Sequence, residues 1–265
     1  MGRRDGGTVT GLYRDDKHFY SWNGDPSVPG ITSIIGVLDK PALVGWAKRE
    51  TAKAAIRNWQ AVAQMVEQQP PIEEQLSYHP AVAYLKATPG YQRDAAASAG
   101  TAVHVIAEAI AKGEEPVIPD AYADSAEAFI RDFVEKYKPT FHPHYVEAMV
   151  YHCGDENVLP YGGTMDLFCQ IDDETWLIDH KTNKSGAYPE TALQLAAGRY
   201  AQFIGRSGDP KKYPIPKATR HGVLWIRPDG AELIPYSVTP REFQAFTACR
   251  MAWDWVNNRA KSVKA

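Results

Sequence analysis

Apolar residues along this 265-residue chain recur with two periods. The shorter one governs residues 162–182, where two runs rich in Leu, Ile, Phe, Trp and Thr, 162–171 and 174–182, are parted by Asp172-Asp173. That pattern predicts a β-hairpin on a two-residue turn. Counting outward from the turn, Ile171 faces Glu174 and Asp166 faces Asp179. Strand alternation sets Lys181 on the same face as Asp179. The longer, helical period appears on both sides. It predicts a long helix over 41–67 with Pro41 in its first turn, a short helix at 79–87, and a helix at 100–112 entered through Tyr91 to Ala99. Further helices are expected at 120–137, with Phe129, Phe133 and Tyr137 inward, at 189–204, and at 240–260 with Trp253 and Trp255 packed. Residues 145–152, 221–227 and 231–238 read as strands. At the N-terminal end, residues 8–22 suggest a small hairpin, Asn23-Gly24-Asp25-Pro26 a turn, and Thr32-Ser33 the cap of a short helix through Leu38. Asn183-Lys184-Ser185-Gly186 is a loop. Together these elements describe a mixed α/β chain: an N-terminal hairpin and helical elaboration over 1–97, and a core over 98–265.

Composition narrows the class. The formal net charge is −3, so a wholly basic surface is absent, although a local basic groove is not excluded. Three cysteines, Cys153, Cys169 and Cys249, form no CxxC pair, and neither a structural zinc site nor an iron–sulfur cluster is expected from them. Met1-Gly2-Arg3-Arg4-Asp5 lacks an apolar leader segment, and Gly6 breaks the myristoylation pattern. No segment is apolar enough to span a bilayer, so a cytoplasmic protein without a membrane partner is expected.

The candidate chemistry sits on the hairpin. Facing carboxylates repel unless a cation lies between them, and hard oxygen donors suit Mg²⁺ or Mn²⁺. Two other Asp/Lys runs lack this setting: Asp15-Asp16-Lys17 lies in a polar turn, and Asp209-Pro210-Lys211 holds a proline unsuited to a central strand. His104 and Glu108, four apart, share a helix face, so Glu108 is a candidate to orient the imidazole or a water. Glu147 is either a site-facing acid or an exposed strand residue. Two basic stretches read either as solvated faces or as phosphate contacts: Lys48, Arg49, Lys53 and Arg57 on the 41–67 helix, and Arg206, Lys211, Lys212, Lys217 and Arg220 in a loop-like run over 206–220.

Gly162-Gly163-Thr164-Met165-Asp166, then Ile178-Asp179-His180-Lys181-Thr182, then a helix carrying Gln194 resembles the PD-(D/E)xK nuclease superfamily, and within it the RecB-like and Cas4-like exonucleases. Gly100-Thr101-Ala102-Val103-His104 is similar to that group's helical histidine motif. Pro29-Gly30-Ile31-Thr32-Ser33-Ile34-Ile35 and Lys40-Pro41-Ala42-Leu43 resemble bacteriophage-encoded members, and the cysteine count departs from the cluster-bearing branch. The resemblance implies a restriction-endonuclease-like αβββαβ core, a mixed sheet flanked by helices. It implies one or two Mg²⁺ or Mn²⁺ ions, without an Fe–S cluster, held by Asp166, Asp179, the backbone carbonyl of His180, and His104. Lys181 would position the attacking water or neutralise phosphate charge, and Gln194 would hold substrate or lysine. Lys184, Tyr200, Lys211 and Lys212 are DNA-contact or supporting candidates; the family's Tyr position, four after the Gln, is Gly198 here.

The expected activity is metal-dependent exonucleolytic hydrolysis of DNA, in phage recombination, repair or replication, within the host cytoplasm. A recombinase or helicase is the expected kind of partner. By resemblance alone, a single-stranded 5′ end is the favoured substrate; the residues themselves do not specify polarity. Two alternatives stand: a structure-selective endonuclease or junction resolvase, and a non-catalytic DNA-binding recombination accessory.

Overall fold

A computed structural model describes residues 10–38, 40–184 and 186–263. The Met1–Gly6 stretch, the first two positions of the 8–22 hairpin, and Ser185 lie outside the described residues. The chain forms two compact units, one of Met1–Leu38 with Ala102–Ala265 and one of Asp39–Thr101. The N-terminal hairpin belongs to the larger of these units.

The larger unit is a mixed α/β layer structure. Strands β1 (Leu12–Arg14), β2 (Phe19–Trp22) and β3 (Val28–Pro29) make a small antiparallel sheet, followed by the short helix α1 (Ile31–Ile35). Gly30, not Thr32 or Ser33, occupies the cap position of α1, and no side chain caps it. The main sheet has seven strands. In chain order they are β4 (Thr140–His152), β5 (Tyr161–Ile171), β6 (Glu174–Lys181), β7 (Phe203–Arg206), β8 (Asp209–Tyr213), β9 (Arg220–Arg227) and β10 (Gly230–Pro235). In space the order is β10-β9-β6-β5-β4-β7-β8. β6 and β9 run parallel, and the other neighbours are antiparallel. The predicted hairpin has the predicted register, Ile171↔Glu174 through Leu167↔Ile178, with Asp172 in the turn at φ 52°.

Helices cover both faces. Ile34 of α1, Leu195 of α6 (Thr191–Arg199) and Phe246 of α7 (Pro240–Asp254) pack with Phe168 and Leu177 on one side. On the other, Phe129 of α5 (Ala123–Phe129), Phe133 and Ala107 pack with Leu167, Ile178 and Leu224. A π-helical turn over Ile130–Glu135 carries Phe133. Burying a side chain of this size contributes roughly 1.5–3 kcal/mol, so both layers stabilise the unit.

The N-terminal segment is held by close approach. Gly30 bridges Gly162, and a Cβ at Gly162 or Gly163 would collide with Tyr20 or Ile31 respectively. A Gly-Gly pair inside a strand marks where another backbone comes near.

In the larger unit the structure differs from the sequence pattern in three places. The 189–204 helix stops at Arg199, because the chain turns to pair with β4; Gln202 donates its N–H to the Tyr151 carbonyl. The 206–220 run is not a loop, since β8 occupies Asp209–Tyr213 at the sheet edge, where Pro210 is tolerated. Trp253 packs against Phe19, whereas Trp255 is exposed.

The smaller unit contains α2 (Pro41–Arg57), α3 (Trp59–Gln68) and the first part of α4 (Pro80–Lys112). Asn58 interrupts the expected 41–67 helix. Conversely α4 runs unbroken through Pro89, where two helices were expected; a proline removes one ladder donor, and the turns on either side carry the helix through. His79 caps α4: its Nδ1 accepts the Ala81 N–H, which leaves Nε2 protonated to donate to the Gln69 carbonyl at 2.6 Å. Among the described residues no helix is long and apolar enough to cross a membrane.

Candidate active site

β5 and β6 lie side by side near the middle of the sheet, and their ladder ends at Leu167↔Ile178. Asp166 and Asp179 are the next facing positions, so both carboxylates stand where the strands part. Asp166 Oδ2 accepts the backbone N–H of His180 at 2.6 Å, which fixes it across the gap. Asp179 is only 4 % exposed, and its Oδ2 forms an ion pair with Lys181 Nζ at 2.6 Å. Lys181 also reaches Gln194 Oε1 on α6 at 3.5 Å. Asp166, Asp179, Lys181 and Gln194 therefore come together from two strands and one helix, although they span 29 positions of sequence (166 to 194).

The electrostatics follow from burial and proximity. Burial pushes the Asp179 carboxyl above its ordinary value, the Lys181 ammonium opposes that, and Asp166 adds to it. Lys181 is held above the usual lysine value: burial works against its charge, and the Asp179 and Asp166 carboxylates outweigh it. Its ammonium is thus protonated at neutral pH.

Alternation turns His180 to the opposite face from Asp179. Its ring is 2 % exposed, edge-on to His104 at 5.7 Å and to Phe129 at 6.0 Å. Burial, with His104 beside it, lowers its pKa to about 3, so the imidazole is neutral. Its Nε2 has no hydrogen-bond partner among the described residues. His104 lies within electrostatic reach of Asp179.

Glu147 is half-buried rather than exposed. It lies between the pairs Val146↔Leu167 and Ala148↔Met165, opposite Asp166, with φ 51° in a strand. Burial, followed by the charges of Asp166 and Glu108, raises its pKa to about 7. Glu108 forms an ion pair with Lys112 one turn along α4, so that salt bridge, not the imidazole, engages its carboxylate.

The remaining candidates lie elsewhere. Lys184 is exposed in the loop after β6. Tyr200 packs on Phe243 of α7, with ring centroids 4.8 Å apart, and Arg199 lies over its ring. Lys211 and Lys212 are on β8, four strands from β6, ~19 Å at the usual strand spacing. Lys212 lies over the Phe203 ring at 4.6 Å, and lysines on an edge strand deter edge-to-edge pairing.

Two neighbours were not foreseen. Tyr236, just after β10, senses both Asp179 and Lys181, with its hydroxyl donating to the Tyr188 carbonyl at 3.1 Å. Arg14 of β1 acts electrostatically on both Glu147 and Tyr20. The signal for Arg14 was present in Gly162-Gly163, the seat of the N-terminal segment; nothing in the local sequence marks Tyr236.

The oxygen donors of Asp166 and Asp179 suit a hard divalent cation, and two facing carboxylates, one buried and one half-buried, favour a cation between them. Among the described residues no group of three or more His, Cys, Asp or Glu side chains is placed to hold a metal ion. Two carboxylates still fit Mg²⁺, which commonly takes one or two of them and completes its shell with water and substrate phosphate. No protein-family model and no curated protein sequence matches the chain.

Proposed function

We propose that the chain is a metal-dependent deoxyribonuclease of the PD-(D/E)xK kind, acting as an exonuclease on DNA with free ends. The observation that carries this reading is the Asp166, Asp179 and Lys181 constellation at the parting of β5 and β6. Hydrolysis of a phosphodiester needs negative charge stabilised and a water aligned, and this set contains groups for both.

Asp166 and Asp179, with the His180 carbonyl, would hold Mg²⁺ or Mn²⁺, which supplies Lewis-acid polarisation of the phosphoryl oxygen and acidifies water. Lys181 acts as a cation. Its protonated ammonium donates hydrogen bonds that align the attacking water and offset charge accumulating on the phosphate oxygens. Gln194 restrains the lysine from α6. Asp166, fixed by the His180 N–H, keeps its carboxylate aimed across the gap.

The test is cleavage of end-labelled linear and covalently closed circular DNA, single- and double-stranded, with Mn²⁺, Mg²⁺ or chelator. Lys181→Ala, Asp166→Ala and Asp179→Ala serve as comparisons. Linear DNA should be lost only with metal, and each variant should lose ~10²-fold or more of the rate while staying folded. A variant that keeps full activity removes that residue from the mechanism. Cut circles would reassign the chain as an endonuclease or resolvase, and binding without cleavage would make it a recombination accessory.

A further inference from the structure

The smaller unit carries a surface that the hydrolytic site does not use. Lys48, Arg49, Lys53 and Arg57 of α2 are all exposed, and Glu50 is the only acid on that helix. Four cations against one acid give the helix a net charge of +3 within a chain of −3. Arg49, Lys53 and Arg57 recur at i, i+4 and i+8. They form one stripe whose members are ~6 Å apart along the axis. Glu50 is buried behind the stripe and pairs with Lys53 at 2.7 Å, yet the Lys53 side chain keeps 52 % of its surface open. Among the described residues, Lys48, Arg49 and Arg57 have no acidic ion-pair partner.

An apolar surface adjoins the stripe. Ile56 is 74 % exposed, and Trp59, which opens α3 immediately after the break at Asn58, is 62 % exposed. No residue of α3 is buried, despite its clear apolar side. Regularly spaced cations match a polyanionic backbone, and an open indole beside them matches the face of an unpaired base. A duplex hides its base faces in the stack and makes no use of the tryptophan.

From this juxtaposition we infer that the outward face of α2, continued by Trp59, binds a single-stranded nucleic acid, the cations on phosphates and the indole on a base. The surface serves a cleaving and a non-cleaving chain equally, so it stands apart from the hydrolytic reading.

The experiment measures fluorescence anisotropy of the full chain in chelator against an oligothymidylate of about 30 nucleotides and a duplex of the same length, across a salt series. Arg49→Ser/Lys53→Ser/Arg57→Ser should bind the single strand at least about tenfold more weakly near 0.1 M salt and flatten the log–log salt slope by about 2. Arg49→Ser/Arg57→Ser keeps the Lys53–Glu50 pair and should flatten the slope by about 1.4 with an unchanged circular-dichroism spectrum. Trp59→Ala should weaken the single strand alone and leave the slope as it was. Unchanged affinity and slope in the folded double variant overturn the surface, and equal losses on duplex and single strand with Trp59→Ala overturn the single-strand assignment. Cleavage measured separately with metal reports on the hydrolytic site, so either conclusion can fail alone.

Discussion

At the scale of single residues, the proposed chemistry depends on how charge is distributed among a few buried and half-buried groups. Lys181 pairs directly with Asp179, and Glu147, opposite Asp166, extends the acidic row beyond the pair predicted from the hairpin. Glu147 has a folded pKa of about 7 against an ordinary 4.5, so the folded protein binds this proton more tightly than the unfolded chain. Its contribution to stability is therefore fully present below the ordinary value and is lost as pH rises through about 7. Glu147→Gln should flatten the stability profile across that window and raise stability near pH 8 by roughly 1–3 kcal/mol. Thermal melts in chelator at a series of pH values measure this; parallel profiles for the two proteins would remove Glu147 from the buried row.

At the scale of elements, the fit of α6 to the sheet decides what the sequence can place beside the site. Gly198 lies four residues after Gln194, where the expected motif would place a tyrosine. A Cβ there would run into Met165, with Leu177 close behind, so the helix lies too near β5 and β6 for a larger side chain. Gly198→Ala should cost about 1–3 kcal/mol in urea unfolding, by forcing Met165 aside. Stability equal to the parent would show that the helix has slack. This contact also shows what could be read in advance and what could not. The hairpin register and the Asp166/Asp179 facing pair follow from local alternation and a two-residue turn, both of which are encoded within twenty residues. The end of α6 at Arg199, the edge strand β8 and the continuity of α4 through Pro89 depend on partners far away in sequence, so local pattern misassigned each of them. Glu147 could be listed as a candidate but not resolved, because its facing depends on the local geometry of β4. Tyr236 could not be found at all, because its nearness to Lys181 arises only when β10 joins the sheet.

At the scale of the whole molecule, the two groups of charged residues fall in different units. The sheet unit contains the acids and the lysine, and the helical unit contains the cationic stripe and the open tryptophan. Replacing residues 40–100 with a Gly/Ser linker of ~20 residues should leave the sheet unit folded, since its two apolar layers lie within it. Retention of a cooperative thermal transition would bear this out, and loss of that transition would make the helical unit essential to the fold. The sheet unit also has a history set by the order of synthesis. Ile31 packs into the space left by Gly163, and Tyr20 into that left by Gly162. At ~5–20 residues per second, the ribosome adds the strand that receives Ile31 roughly 7–26 s after Ile31 itself. Through that interval Ile31 lacks the β5 position it packs against, so the buried isoleucines of α1, Ile31, Ile34 and Ile35, reach their full setting only after β5 is made.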